Sequence, residues 1–472
     1  MAEHVEVPMT DWCHLSVRAY TQMVLCFGFD DHAGCHDEVN TAVAQHLQAS
    51  LMRLSQQRAD LTDLFRTVTD PETRRKRTER IRRPGVDTPI PYEVGSLRNS
   101  YPYSFKQLKK QGFPSVAFLD KRLVVDESPD GVDPAVIVKV FFIEGGFFLG
   151  IYLSHQVADG DGCRMFLDMF SAQTCGAMVE HPRELNLDIP HELLLPSATL
   201  DELLAQCPEY KHRGEPFRTT ASVSSISKEI GPKITGRLFS FPMEKLRELQ
   251  TLLITDKSSP LPSLFTALGA LAWAHITKAR VSTLDESDQS SEMGALRTIF
   301  NWKPRAFSTY SQQHFGNTVH STDVNVSINT LLQACDDLDV LGSRVVAAIS
   351  TSITAVDESF MTPRLAVAQR RLLDSVDAKS KLVNIFPTQP KGNLVLNSWR
   401  FFGADTKWEI PGVHKYSKPA AIRRPAAGWW SPYGLCIQPA ATDATALELL
   451  VQLEAEEMDR LCNDVEWMRW VG

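Results

Sequence analysis

Residues 135 to 155 read AVIVKVFFIEGGFFLGIYLSH, two apolar runs of strand length separated by Glu144-Gly145-Gly146. Val, Ile, Phe and Tyr favour extended backbone, and a glycine between such runs allows the positive φ that a tight reversal needs. The pattern predicts a β-hairpin with a glycine-permitted turn. Long helical bundles and coiled coils are excluded. The second strand delivers His155 at its end. Asp159-Gly160-Asp161-Gly162 follows, and Met165, Phe166, Met169 and Phe170 then recur at spacing four. This predicts a turn, permitted by φ > 0 at Gly160 and Gly162, and a helix over 162–176.

Elsewhere the apolar runs alternate between strand-like and helix-like lengths with no internal repeat, which assigns the chain to the α/β class. RAYTQMVLCF at 18–27 predicts a strand, and Val39, Val43, Leu47, Leu51 and Leu54 predict a helix. A long buried helix is expected over 261–280, opening at Pro262-Ser263, followed by a surface loop over 281–292. Short strands are expected at 394–402 and 434–437, and an alternating strand at 447–453 before an acidic helix containing Met458 and Leu461. The polar, Ser/Thr-rich stretch from Cys207 to Gly236 suits a linker. At 472 residues there is room for two or three domains, and the boundaries are placed at 1–210, 211–235 (linker) and 236–472.

The 49 basic and 57 acidic residues leave a net charge of -8, which argues against a general nucleic-acid binder. No apolar run is long enough to span a membrane, and the start MAEHVEVPMTDWCH lacks the basic flank and apolar core of a signal peptide. A cytoplasmic protein with no membrane partner is expected. The nine scattered cysteines are expected to be reduced thiols, mostly buried. His32-Ala33-Gly34-Cys35-His36 has metal-compatible residues but no second cluster at zinc spacing, so no metal is expected. Seven of the ten residues from Arg74 to Arg83 are basic. They suit a contact for ligand phosphates, a targeting signal or, preferentially, a solvated helix end or mobile loop.

A histidine at a strand mouth can take a proton from an alcohol near neutral pH. Asp159, four positions on, could orient the imidazole directly or brace the loop by pairing with a distant basic side chain. That spacing is common by chance, and the surrounding residues add the specificity. FIEGGFFLGIYLSHQVADGDG resembles the active-site strand and HxxxDG loop of the BAHD acyltransferases, in particular the fungal branch containing trichothecene 3-O-acetyltransferases. RAYTQMVLCF, SYPYSFKQLKKQGFPSVAFLD, LPSLFTALGALAWAHITKAR, HFGNTV, NSWRFFG and KPAAIRRP follow in the family's order. The resemblance implies two similar chloramphenicol acetyltransferase-like α/β domains with a channel between them, in a monomer. It also implies acyl-CoA as co-substrate, with no permanently bound cofactor, and a small-molecule acceptor. His155 would then be the general base, Asp159 a structural brace held by a basic partner, and Gly160 the residue permitting the turn. Ser398 and Trp399 would border the CoA channel, although a Trp in an apolar strand equally suits the core, and Asn317 would line the substrate channel.

One family signature, DFGWG, is absent. The matching place is Trp408-Glu409-Ile410-Pro411-Gly412-Val413. An ion pair of Glu409 with Lys303 or Arg305 is the expected substitute for the family's Asp–Arg brace; a solvated Glu409 is the alternative. The expected function is CoA-dependent transfer of a short acyl group, acetyl on family grounds, to a hydroxyl of a small secondary metabolite. The competing reading is a repurposed scaffold that catalyses cyclisation, isomerisation or amide-forming condensation without CoA. Condensation domains usually carry two adjacent histidines here, and Ser154 occupies the first place.

Overall fold

The computed structural model describes residues 5–7, 9, 12–13, 16, 18–30, 36–69, 76–82, 89–126, 128, 131–177, 198–212, 234–254, 260–281, 292–307, 314–373, 382–384, 391–425 and 433–472. In chain order, the strands of the first part are β1 (Val5–Val7), β2 (Tyr20–Gly28), β3 (Leu64–Thr69), β4 (Lys76–Arg82), β5 (Tyr92–Ser96), β6 (Val132–Pro134), β7 (Val136–Ile143) and β8 (Gly146–Ser154). Then come β9 (Tyr210–His212), β10 (Ile234–Pro242), β11 (Met293–Asn301), β12 (Val319–Ser327) and β13 (Leu382–Asn384). The last are β14 (Leu394–Ser398), β15 (Ala421–Arg423), β16 (Gly434–Ile437) and β17 (Ala446–Glu454). The helices that matter below are α1 (His36–Gln57), α2 (Gly160–Thr174), α3 (Leu200–Gln206), α4 (Leu264–Val281), α5 (Glu358–Leu373) and α6 (Ala455–Asn463).

Two main sheets organise the chain. One has the order β15-β2-β8-β7-β5, the other β10-β17-β16-β14-β11-β12. The expected hairpin is β7–β8, and Gly145 takes the anticipated left-handed backbone with φ 76°. β2 and β8 pair antiparallel along their whole length, from Tyr20 opposite Ser154 to Gly28 opposite Gly146. Both are buried almost throughout, because α1 and α2 share one core with Leu25, Phe27, Leu149 and Ile151 on one face while Phe118 and Phe148 pack on the other. In the second sheet's layer, α4 starts where Ser263 Oγ accepts the Thr266 N–H at 3.0 Å and is buried nearly all round. Gly269 lets it approach β14, since a Cβ there would lie 2.6 Å from Leu396 Cδ2.

The two halves exchange pieces, so the boundaries at 210 and 236 do not separate packing units. α3 and β9 precede residue 213, yet Leu203, Cys207 and Tyr210 pack on Ala366 and Val367 of α5, and β9 pairs with β13. In the other direction β15 pairs with β2, and Arg423 donates to the carbonyls of Phe113 (2.8 Å) and Gly112 (2.9 Å). A polar stretch marks where a chain crosses over; it does not say which core the apolar residues on either side will join. Most of the expected linker, 213–233, lies outside the described residues, as do most of the 281–292 loop and the side chains of the His32 to His36 cluster.

The basic run corrects a second expectation. Its described part is β4, a strand and not a helix end or loop, and Arg80 and Arg82 project from the same face onto Asp63, each with an Nε–Oδ distance of 2.7 Å. That carboxylate is fully buried, so these arginines neutralise an internal charge. The side chains of Arg74, Arg75 and Arg83 lie outside the described residues. The eight described cysteines are free thiols, six of them buried; among the described residues no group of His, Cys, Asp and Glu has metal-binding geometry. No single described helix is long and apolar enough to cross a membrane.

The C-terminal segment docks through Asp464. Its Oδ2 lies 2.9 Å from His275 Nδ1 and 3.4 Å from Lys278 Nζ, and its Oδ1 accepts the N–H groups of Glu466 and Trp467. Burial pushes this carboxyl up, but His275 and Lys278 prevail and hold it well below its ordinary value of 3.8. The folded chain therefore stays deprotonated at a pH where the unfolded chain has taken up a proton. Asp464 stabilises the fold above that ordinary value, and its contribution is lost as pH falls below it. The midpoint of thermal unfolding should fall less steeply with acid in Asp464→Asn than in the wild type; parallel acid limbs would show that other carboxylates govern acid unfolding.

Candidate active site

β8 ends because a turn closes on Ser154, whose carbonyl accepts the N–H groups of Val157 (2.9 Å) and Ala158 (3.3 Å). His155 stands at this turn, half-buried, with its own backbone held from both sides. Its N–H donates to Ala19 O at 2.8 Å, and its carbonyl accepts from Asn317 Nδ2 at 2.7 Å. The first bond comes from the segment before β2 and the second from the far half of the chain, just before β12. The histidine therefore sits on the seam.

Asp159 completes the loop with both carboxylate oxygens. Oδ1 accepts the N–H groups of Asp161 (3.0 Å) and Gly162 (3.3 Å) and so caps α2. Oδ2 accepts from the Thr318 N–H (2.7 Å) and Oγ1 (3.1 Å), and the Asp159 N–H donates to Gly316 O at 3.2 Å. Asp159 is only 2% exposed, and burial pushes its carboxyl up against the lowering pull of the Thr318 and Gly162 N–H groups. The expected basic partner is thus replaced by a backbone N–H and a hydroxyl. Direct orientation of the imidazole is also excluded, because His155 Nδ1 is buried with no hydrogen-bond partner among the described residues.

Gly160 has a different reason from the one expected. Neither it nor Gly162 adopts a positive φ. A Cβ on Gly160 would lie 1.9 Å from Phe402 Cζ, and one on Gly162 would lie 2.3 Å from Ala158 Cβ. Close approach, not backbone handedness, requires glycine at both places. Phe402 stacks on Trp399 with ring centroids 5.6 Å apart, so the segment after β14 lies directly over the loop. Trp399 itself is buried in the core beneath Arg424, and Ser398 Oγ accepts the Arg400 N–H. Asn317 is also buried, at 1% exposed. Its amide holds the His155 carbonyl and does not line an open channel.

The ion pair expected for Glu409 does not form. Glu409 pairs with Lys415 at 3.3 Å, and its N–H donates to Thr174 Oγ1 in the last turn of α2. Lys303 lies 3.7 Å from Asp161 in the first turn of that helix, about 20 Å away along its axis at 1.5 Å per residue. Arg305 reaches the Ile353 carbonyl. Trp408, packed against Phe27 and Phe170, and Ile410 are the buried residues of this segment, which leaves Glu409 between them at the surface.

A model of the Transferase family matches residues 103–468. The chain belongs to that family, as an acyltransferase of the BAHD type. A model of the trichothecene 3-O-acetyltransferase-like N-terminal domain matches residues 19–175, from the start of β2 to the end of α2, and so contains the whole His155 loop. Among characterised relatives, a trichothecene 8-O-acetyltransferase of Fusarium sporotrichioides is 22% identical over 397 residues, covering 78% of this chain and 79% of the relative. An eremophilane O-acetyltransferase of Penicillium rubens is 22% identical, covering 71% of this chain and 74% of the relative. The fold matches F. sporotrichioides TRI101 solved with coenzyme A and T-2, with a TM-score of 0.76, 21% identity and 99% of each chain covered. Vinorine synthase matches at 0.60 and 15% identity, over 99% of this chain and 94% of that one. The two-domain chloramphenicol acetyltransferase-like architecture is therefore established. Within it, the loop glycines pack against Phe402 and Ala158, and the acidic brace of this acyltransferase is held by Thr318.

Proposed function

We propose that the protein transfers a short acyl group from acyl-CoA to a hydroxyl of a small metabolite, with His155 as general base. The observation that carries this is the fixation of His155 on the seam between the halves, its main chain bonded to both. The relatives' activities as O-acetyltransferases, and coenzyme A and T-2 in the TRI101 complex, supply the substrate classes. The imidazole removes the proton from the acceptor hydroxyl as its oxygen attacks the thioester carbonyl. The carbonyl re-forms as the carbon–sulfur bond breaks, and the proton leaves with the CoA thiol. No acyl-enzyme is needed, because both substrates are held together and positioning supplies part of the rate.

The test needs no knowledge of the acceptor. A ligand at about 100 times its dissociation constant stabilises the folded state by ~2.7 kcal/mol. For cooperative unfolding of 472 residues that is a rise of about 3 °C in the midpoint. Saturating acetyl-CoA or free CoA is expected to produce such a rise. No shift with any CoA ester would favour chemistry on the acceptor alone.

A further inference from the structure

Asp161 lies two residues beyond Asp159 in the first turn of α2, and its Oδ2 is 3.7 Å from Lys303 Nζ in the opposite half. The lysine side chain is 3% exposed and the aspartate 28%. A buried ammonium needs a counter-charge, the more so beside a helix N-terminus, whose dipole places partial positive charge there. Asp161 supplies it. On the far side Lys303 is tied to the Asp159–Thr318 bond across the seam. Its N–H donates to Asn301 Oδ1 at 3.0 Å, and the Thr318 hydroxyl lies 2.9 Å from that same oxygen. Thr318 in turn holds Asp159 through its N–H at 2.7 Å, its single hydroxyl proton being shared between Asp159 Oδ2 and Asn301 Oδ1. Asp159, Thr318, Asn301, Lys303 and Asp161 thus form a closed ring that crosses the seam twice, on the loop that follows His155.

We propose that Asp161 and Lys303 are positioning residues for His155: the pair fixes the loop against the second half as the second arm of a clasp whose first arm is Asp159–Thr318. The other bonds across the seam, from Asn317, Gly316 and Thr318, all come from one short segment before β12; the Asp161–Lys303 pair ties the loop to a separate point, beyond β11. Neither residue needs to touch a substrate. The proposal rests on His155 acting in acyl transfer, but the clasp itself can be tested apart from that.

Asp161→Asn and Lys303→Met are compared with the wild type, with Asp161→Glu as the conservative variant. Misplacement of a reacting group by about 1 Å can cost ~10²-fold, so kcat should fall at least tenfold in Asp161→Asn and Lys303→Met while KM for both substrates stays within about twofold. The double variant should be no worse than the poorer single one, and Asp161→Glu should recover most of the rate. A lowered midpoint of unfolding with kcat per folded molecule unchanged would overturn the proposal, leaving the pair a bare stabilising contact. Amide hydrogen exchange over residues 157–162 gives a readout that requires no turnover. Faster exchange there in Asp161→Asn supports the clasp even if no acyl transfer is found, and unchanged exchange overturns it even if transfer is confirmed.

Discussion

Replacing His155 with alanine is expected to lower turnover by about 10²- to 10⁴-fold, the usual share of a positioned general base. An unassisted alcohol is a poor nucleophile near neutral pH, and the loop offers no second imidazole next to His155, since Ser154 precedes it. The substitution removes only the ring. The two bonds that fix this residue, from its N–H to Ala19 O and from Asn317 Nδ2 to its carbonyl, are both made by the main chain and survive. Folding, and any midpoint shift produced by acetyl-CoA, should therefore remain close to wild type. Steady-state kinetics on the folded variant checks the first point and a thermal scan the second. Turnover at the wild-type rate would place the base elsewhere.

Asp159→Ala should instead cost stability. It removes the cap of α2 and the acceptor for the buried Thr318 N–H at one stroke. Loss of a cap costs about 1 kcal/mol, and an orphaned buried donor about 1–3 kcal/mol. The sum, about 2–4 kcal/mol, corresponds to a fall of roughly 2–4 °C in the unfolding midpoint of a chain this long. Turnover should fall as well, because the released loop carries His155. A variant with an unchanged midpoint and a reduced rate would mean that the carboxylate acts on the imidazole directly, against the geometry that leaves His155 Nδ1 without a partner among the described residues. Asp159→Asn is informative beside it. The amide can keep one accepting oxygen but cannot serve both the cap and Thr318 equally well, so an intermediate loss is expected.

The parts of this fold that could be read ahead are those written in local, periodic signals. The apolar runs of β2, β7 and β8, the left-handed Gly145 and the Ser263 start of α4 all depend on neighbours within a few residues. His155 and Asp159 were legible as a motif. What holds them was not, because Thr318 is 159 positions from Asp159 and carries no charge to mark it as a carboxylate's partner. The adjacent polar pair Asn317-Thr318, set between Phe315 and β12, was the available signal for residues that work at the seam. The Arg74 to Arg83 run misled for a related reason. Charge density suggests solvent, but alternation along a strand put Arg80 and Arg82 on one buried acid. Charge singles out Glu409, whereas burial in that segment belongs to Trp408 and Ile410 on either side of it. Gly160 sits where a turn would ask for glycine, but it is Phe402, far along the chain, that requires the space.

The most direct test of the proposed chemistry is to incubate the protein with acetyl-CoA and a panel of hydroxylated small metabolites, measuring released CoA thiol and the mass of the acceptor together. The expected result is free CoA and an O-acetyl ester in equal amounts, both lost in His155→Ala. An acceptor that is isomerised or cyclised while acetyl-CoA remains unconsumed would contradict acyl transfer and assign His155 to moving a proton on the acceptor alone.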